Sequence, residues 1–198
     1  MIDRSIPFYN TILKCTDYKH TEVVLPQGFS IVAYKDGYEK EWARLEHSIG
    51  DFKSPKEAED YFISTYMKNI SELKKNARFL LNENGKVIGS CIAWHDMRGS
   101  ENVSSLHWLV VDEQYQGMGL GKALCLEIMN IFEADKKFPV YIHTQPWSIK
   151  AVFLYISVGF KLQKADSFSN YKNEYDKAMS VLKSMTNEEQ YRLLIKAS

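Results

Sequence analysis

Leu106-His107-Trp108-Leu109-Val110-Val111-Asp112-Glu113-Gln114-Tyr115-Gln116-Gly117-Met118-Gly119-Leu120-Gly121-Lys122-Ala123 decides the reading of this chain. An apolar, β-rich run enters a loop with glycines at three alternate positions, and an apolar helical pattern leaves it. Glycines there allow backbone conformations closed to other residues and let a ligand approach closely. The first amides of the following helix have no partner within that helix and lie at its positive dipole end. Such an arrangement favours a phosphate, and Lys122 adds charge. Spacing then discriminates among nucleotide loops. A dinucleotide G-x-G-x-x-G begun at Gly117 or Gly119 would end on Lys122 or Leu124, and so fails. A P-loop would need Gly where Gln116 stands and Ser or Thr where Ala123 stands, and fails too. What survives is Q-x-x-G-x-G over Gln116–Gly121.

Outward from this loop, the patterns alternate between extended and helical. Ala77–Leu81 and Val87–Trp94 read as strands joined through Asn84-Gly85, a strong hairpin signal. Val103–Asp112 is a further strand, Gly119–Phe132 a helix, Phe138–Thr144 a strand, Ser148–Val158 a helix and Gly159–Leu162 a strand. Upstream lie a short β-rich run at Phe29–Tyr34 and a helix over Glu39–Ile49. A second helix is opened by Ser54-Pro55 and expected to run towards Lys74. Phe8–Leu13 reads as an added edge strand. Late helices are expected over Tyr175–Lys183 and Glu188–Lys196, the second opened by a Thr186-x-x-Glu189 capping box. The fold class is α/β with a mixed sheet, antiparallel early and partly parallel late.

The 198 residues fit one ordinary domain or one domain with an extension, large enough to bury roughly 70% of the unfolded surface without metal or disulfide. A composition 45% hydrophobic and 25% charged belongs to a globular chain. Lys plus Arg and Asp plus Glu are 25 each, which argues against nucleic acid as a partner. No apolar run reaches the ~20 residues of a membrane span. Met1 to Pro7 lacks the plan of a secretory signal, so a cytoplasmic location is expected. Cys15, Cys91 and Cys125 form no C-x-x-C pair, and Cys91 and Cys125 read as small buried hydrophobes. The histidines His20, His47, His95, His107 and His143 show no metal-ligand spacing, so no metal is expected.

The Q-x-x-G-x-G loop between a strand and a helix resembles that of the GNAT acetyltransferases. A second segment, Ala151-Val-Phe-Leu-Tyr155-Ile-Ser-Val-Gly159-Phe160, is similar to that family's A-x-x-L-Y-x-x-x-G-F block. The resemblance covers about Phe29 to Leu162 and departs at Ser148, where many members carry Asn. It implies a central mixed sheet flanked by helices, an N-terminal extension over 1–28, the acetyltransferase domain over 29–165, and a C-terminal helical extension over 166–198 packed on the domain. It further implies acetyl-coenzyme A as cosubstrate. Leu109, Val110 and Val111 would offer backbone groups to the pantetheine arm, Gln116 to Ala123 would hold the pyrophosphate, and Ser148 and Ala151 would lie along the cofactor.

Direct attack of an amine on a thioester needs a neutral amine, a stabilised oxyanion and a proton for the departing thiolate. Tyr155 matches the family tyrosine placed beside the sulfur as the acid. For the base, His107 lies on a strand similar to one in arylalkylamine acetyltransferases, where a histidine assists amine deprotonation; histidine's ordinary pKa of ~6.5 suits the task. Strand alternation puts Ser105, His107, Leu109 and Val111 on one face. His143, Glu46 and Glu101 are further candidates. In GNAT folds the segment joining the first two helices shapes the acceptor site, here about Ser48–Pro55. Phe52 and Trp147 would form an aromatic wall and Asp51 would attract a cationic amine. The function expected is N-acetylation of a small-molecule primary amine in a ternary complex. A peptide or protein amine, and a non-catalytic acyl-coenzyme A module, remain the alternatives. The late amphipathic helices, with Met179, Leu182, Leu193 and Leu194 as apolar candidates, would pack on the domain or against a second copy in a homodimer.

Overall fold

The computed structural model describes Asp3 and residues 5–198. The secretory-signal expectation falls partly on Met1, Ile2 and Arg4, which lie outside the described residues. The elements are β1 (Thr11–Cys15), β2 (Ser30–Ala33), α1 (Tyr38–Ile49), α2 (Pro55–Tyr66), α3 (Ile70–Asn76), β3 (Ala77–Leu81), β4 (Val87–Arg98), β5 (Glu101–Val111), α4 (Leu120–Ala134), β6 (Val140–Thr144), α5 (Ile149–Val158), β7 (Lys161–Leu162), α6 (Tyr175–Ser184) and α7 (Glu188–Lys196). The strands form one mixed sheet in the order β2-β3-β4-β5-β6-β1-β7. The chain divides into two compact units, and β4 and β5 each run from one into the other.

The first unit holds His20–Trp94 and Leu106–Ile131. Here β2 pairs with β3 and β3 with β4, both antiparallel. Gly85, at φ +73°, turns the hairpin, and the Asn82 side chain accepts from the amides of Asn84 and Lys86. The core joins the inner faces of α1 and α2 to the sheet through Trp42, Leu45, Phe62, Tyr66, Phe79 and Ile92. The expected long second helix is broken: α2 ends at Tyr66, a 3-10 turn follows over Met67–Asn69, and the Asn69 side chain caps α3 by accepting from the Glu72 amide. Asn competes with helix continuation because its short amide bonds locally to backbone.

The second unit holds the described residues up to Lys19, His95–Ser105 and Phe132–Ser198. β5 pairs in parallel with β6 through Ser104–Val140 and Ser105–Tyr141. The N-terminal β1 is not an edge strand. It lies between β6 and β7, antiparallel to both, with Ile12 and Leu13 fully buried. The strand expected over Phe8–Leu13 overlaps β1 at Thr11, Ile12 and Leu13, and its pairing partners are far away in sequence. The expected capping box of α7 also moves by one residue, to Asn187 and Gln190, because the Thr186 hydroxyl turns back to the Leu182 carbonyl at 2.8 Å. Met179, Leu182 and Leu194 are buried, whereas Leu193 is exposed. The three cysteines are buried and unbridged. Among the described residues, no helix is long and apolar enough to cross a membrane.

Asp166 ties this second unit together. It accepts from Lys14 Nζ at 2.6 Å, Arg98 Nη2 at 2.8 Å and the Tyr141 hydroxyl at 3.1 Å. Burial alone would raise its pKa, but those three donors outweigh burial and bring it to about 2. A lowered carboxyl contributes stability that is complete above its unfolded value of ~3.9 and lost as pH falls through the folded one. Asp166→Asn should therefore cost about 1–3 kcal/mol in urea unfolding at pH 7, the range for breaking a partly buried charged network. The gap from wild type should close as the pH is lowered towards 2.

Candidate active site

In the first unit, β5 runs into the glycine loop. Asp112 caps a 3-10 turn over Glu113–Tyr115 by accepting from the Gln114 amide, and its own amide donates to the Ile88 carbonyl of β4 at 2.8 Å. Gln116 reaches back to the Val111 carbonyl through its side-chain amide at 3.1 Å, closing the loop on the strand end. Gly117 and Gly119 then take φ of +83° and +80°. These are left-handed conformations that a β-carbon resists. Above each glycine nothing lies within 4 Å of where a β-carbon would be. The Ala123 amide donates to the Gly119 carbonyl, so α4 begins there and the amides of Leu120, Gly121 and Lys122 precede its first helical bond. Gln116 to Gly119 and Lys122 are exposed, Gly121 is half-buried, and Leu120 and Ala123 anchor the helix start in the core. The loop therefore presents an open glycine turn at the positive end of the α4 dipole.

One position on β5 overturns the expected alternation. Trp108 has φ +53° within the strand. Such a kink disrupts the two-residue period as a bulge does. Neighbours His107 and Trp108 consequently both meet the α1–α2 side. The Tyr66 hydroxyl and His107 Nδ1 are 2.7 Å apart, while the Trp108 ring lies 5.5 Å from those of Trp42, Phe52 and Tyr61. Val110 joins the same core. Val111 instead lies with Leu124 against Gly89 of β4, where a β-carbon would also sit 2.8 Å from the Val110 carbonyl. Ser105, His107, Leu109 and Val111 thus do not share one face. Leu109, like Val111, is half-buried.

Phe52 belongs to a packed tetrad with Trp42, Tyr61 and Trp108. The Trp42–Phe52 and Phe52–Tyr61 centroids are 5.7 and 5.5 Å apart, and Trp42 and Tyr61 stack at 6.1 Å. Asp51 is exposed, and its amide donates to the Glu46 carbonyl at 3.1 Å. Glu46 itself is 1% exposed, and its Oε1 has no hydrogen-bond partner. Burial first, and the Asp51 charge second, push its carboxyl well above the ordinary range. Glu101, the other acidic candidate, is exposed at the start of β5. Tyr66, Trp42 and Tyr61 were not singled out from sequence. The available signal was the i, i+4 recurrence of Trp42 with Glu46, and the Tyr61/Tyr66 pair on the next helix.

In the second unit, α5 buries Val152, Tyr155 and Val158, and the Tyr155 ring meets Phe160 edge-on at 6.0 Å. Ser148 holds the N-cap position but makes no side-chain cap bond. Ala151, in the first turn, is half-buried. Trp147 packs on Phe8 at 5.2 Å. His143 donates from Nε2 to Asn10 Oδ1 at 2.8 Å and stacks on Tyr171 at 3.6 Å. Burial drives its pKa down to about 4 against the opposing charge of Asp96, so the ring is neutral near pH 7 and a weak base. Among the described residues no group of three or more His, Cys, Asp or Glu is arranged to hold a metal.

Comparison with known proteins agrees with this architecture. The model of the acetyltransferase (GNAT) family matches residues 39–160. No curated protein sequence matches the chain. A GCN5-related N-acetyltransferase from Sphaerobacter thermophilus superposes with a TM-score of 0.62 at 16% identity, covering 79% of this chain and 49% of that one. A GNAT-family acetyltransferase from Colwellia psychrerythraea gives 0.60 at 10% identity, covering 79% and 54%. Glucosamine-6-phosphate N-acetyltransferase from Arabidopsis thaliana gives 0.54 at 17%, covering 72% and 97%. This chain thus spans about half the length of the first two, and at such identities the likeness is one of fold.

The buried Glu46 yields a stability prediction. A carboxyl whose folded pKa is raised adds no pH-dependent penalty below its unfolded value of ~4.3, and costs stability increasingly as pH rises above it. Glu46→Gln should raise the urea midpoint over wild type at pH 8, with the difference shrinking as the pH falls to 4.5. Parallel pH dependences in the two proteins would show that the carboxyl is not held neutral by the fold.

Proposed function

Because the chain belongs to the acetyltransferase (GNAT) family, we propose that it transfers the acetyl group of acetyl-coenzyme A to the primary amine of a small molecule, by direct attack in a ternary complex. The observation that carries this reading is the open, left-handed Gly117–Gly119 turn at the start of α4. Its amides would hold the pyrophosphate, with Lys122 as the accompanying cation and the backbone of Leu109 to Val111 beside the pantetheine arm. Gln116 supports the loop from beneath, since its side chain is engaged by the Val111 carbonyl.

In the proposed reaction the amine lone pair attacks the thioester carbonyl carbon, the oxyanion collapses, and the C–S bond breaks. The amine must lose a proton and the thiolate must gain one. His107 is the proposed base. With Tyr66 accepting from its Nδ1–H, the lone pair at Nε2 is the one able to take the amine proton. His143, held neutral as a weak base, is less suited. Tyr155 is proposed as the acid on the strength of the Ala151–Phe160 block, with Ser148 and Ala151 near the cofactor on the same ground. A small acceptor rather than a peptide is supported by the aromatic cluster of Trp42, Phe52, Tyr61 and Trp108 beside the α1–α2 connection.

Thiol release from acetyl-coenzyme A with a panel of primary amines tests the reading. Tyr155→Phe should lower kcat by about 10²-fold, the scale of a lost general acid, with coenzyme affinity nearly unchanged. His107→Ala should flatten the alkaline rise of the pH–rate profile, and an unaltered profile would remove His107 from the mechanism. No thiol release with any amine would leave acetyl transfer without support.

A further inference from the structure

Glu46 is the only Asp, Glu, Lys or Arg among the described residues that has a fully buried side-chain oxygen or nitrogen without a hydrogen-bond partner. One turn earlier on α1, Trp42 is 0% exposed, and its indole Nε1 also lacks a partner. The i, i+4 spacing puts both on the inner face of the helix. An unsatisfied carboxyl oxygen in a core costs free energy that an apolar residue of similar size would not. The raised pKa lowers that cost by keeping the carboxyl neutral, but it leaves Oε1 without a donor.

The surroundings specify the chemistry of the missing partner. A carboxyl group pairs best with a nitrogen cation. Trp42, on the same helix, packs with Tyr61 and Trp108, and aromatic rings of this kind attract cations. Asp51, just after α1, adds a second negative charge close enough to act on Glu46. An ammonium held here cannot itself attack the thioester, because it has no free lone pair. The nitrogen recognised and the nitrogen acetylated must therefore be different atoms of one acceptor.

We propose that Glu46, supported by Asp51 and walled by Trp42, Tyr61 and Trp108, is the recognition site for the non-reacting ammonium of a diamine-type acceptor; this rests on the acetyltransferase reading above. Phe52 is the cover. It sits on the short connection between α1 and α2, held where His47 Nδ1 lies 3.0 Å from the Phe52 carbonyl, with Gly50 at φ +92°. Displacing the Phe52 ring opens the way to Glu46. As the ammonium enters, the neutral Glu46 carboxyl gives up its proton and becomes the counter-ion. The titratable groups that act on Glu46 from its surroundings are Asp51 and, from β4, Cys91, itself held as a neutral thiol by burial.

The test is calorimetric titration of the full chain with an α,ω-diaminoalkane and with the alkylamine of equal chain length, at pH 7 in two buffers of different ionisation enthalpy. The diamine is expected to bind at least about tenfold more tightly, with a buffer-dependent heat showing a proton released. Glu46→Gln should abolish the preference and release one proton fewer while keeping coenzyme A binding. If that variant fails to fold, Asp51→Asn should weaken diamine binding severalfold, and Phe52→Ala should speed diamine association. Equal binding of the two amines by wild type, or a preference that survives Glu46→Gln, would overturn the proposal. The outcomes separate from those of the acetyltransferase reading. Thiol release with monoamines and diamines at equal efficiency sinks the diamine site alone, whereas absence of coenzyme binding sinks the reading beneath it.

Discussion

Gly117 and Gly119 hold the backbone at φ +83° and +80°, between the end of β5 and the first turn of α4. Any other residue would resist both angles, so the turn from strand to helix depends on the absence of two β-carbons. That turn delivers the leading amides of α4 to solvent at the positive end of the helix dipole. The bracing around it is intrinsic to the chain: Asp112 caps the 3-10 turn, its amide ties to Ile88, and Gln116 reaches the Val111 carbonyl. A loop fixed in this way has little conformational freedom left to lose, which would favour the proposed binding of an anion.

Trp108 sets the second constraint. A non-glycine residue at φ +53° is strained by about 1–2 kcal/mol, and it persists where its surroundings over-determine it. Here the ring is locked among Trp42, Phe52 and Tyr61. The consequence is that His107 and Trp108 reach the same pair of helices, bringing a histidine with its Tyr66 partner and an aromatic cluster to one side of β5. The buried carboxyl of Glu46 belongs to the same helix as Trp42, so the strained strand, the histidine and the unpartnered acid share one structural unit.

Much of this fold was legible because its signals are local. Asn84-Gly85 declared a hairpin, Ser54-Pro55 a helix start, and Gln116–Gly121 a glycine turn from strand to helix, each from chemistry contained in a few adjacent residues. The errors arose where the deciding partner is remote or where neighbouring residues compete. Phe8–Leu13 reads as a strand but carries no information that β6 and β7 will flank Thr11–Cys15. Asn69 caps a new helix inside a run whose apolar spacing continues, and Asn187 displaces Thr186 because the Thr186 hydroxyl finds the Leu182 carbonyl. The reversal at Trp108 is invisible to periodicity, since nothing in Leu106–Val111 requires a positive φ. In the same way, Glu46 reads from sequence as a candidate base; only packing reveals that its Oε1 is buried without a donor.

Amide proton–nitrogen correlation spectra of the labelled protein, recorded as coenzyme A is added, interrogate the glycine turn atom by atom. The account requires the largest shifts at the amides of Gly117 to Ala123, saturating together with a single affinity. Amides in that stretch that stay put while coenzyme A is in excess, or shifts concentrated elsewhere in the chain, would contradict it.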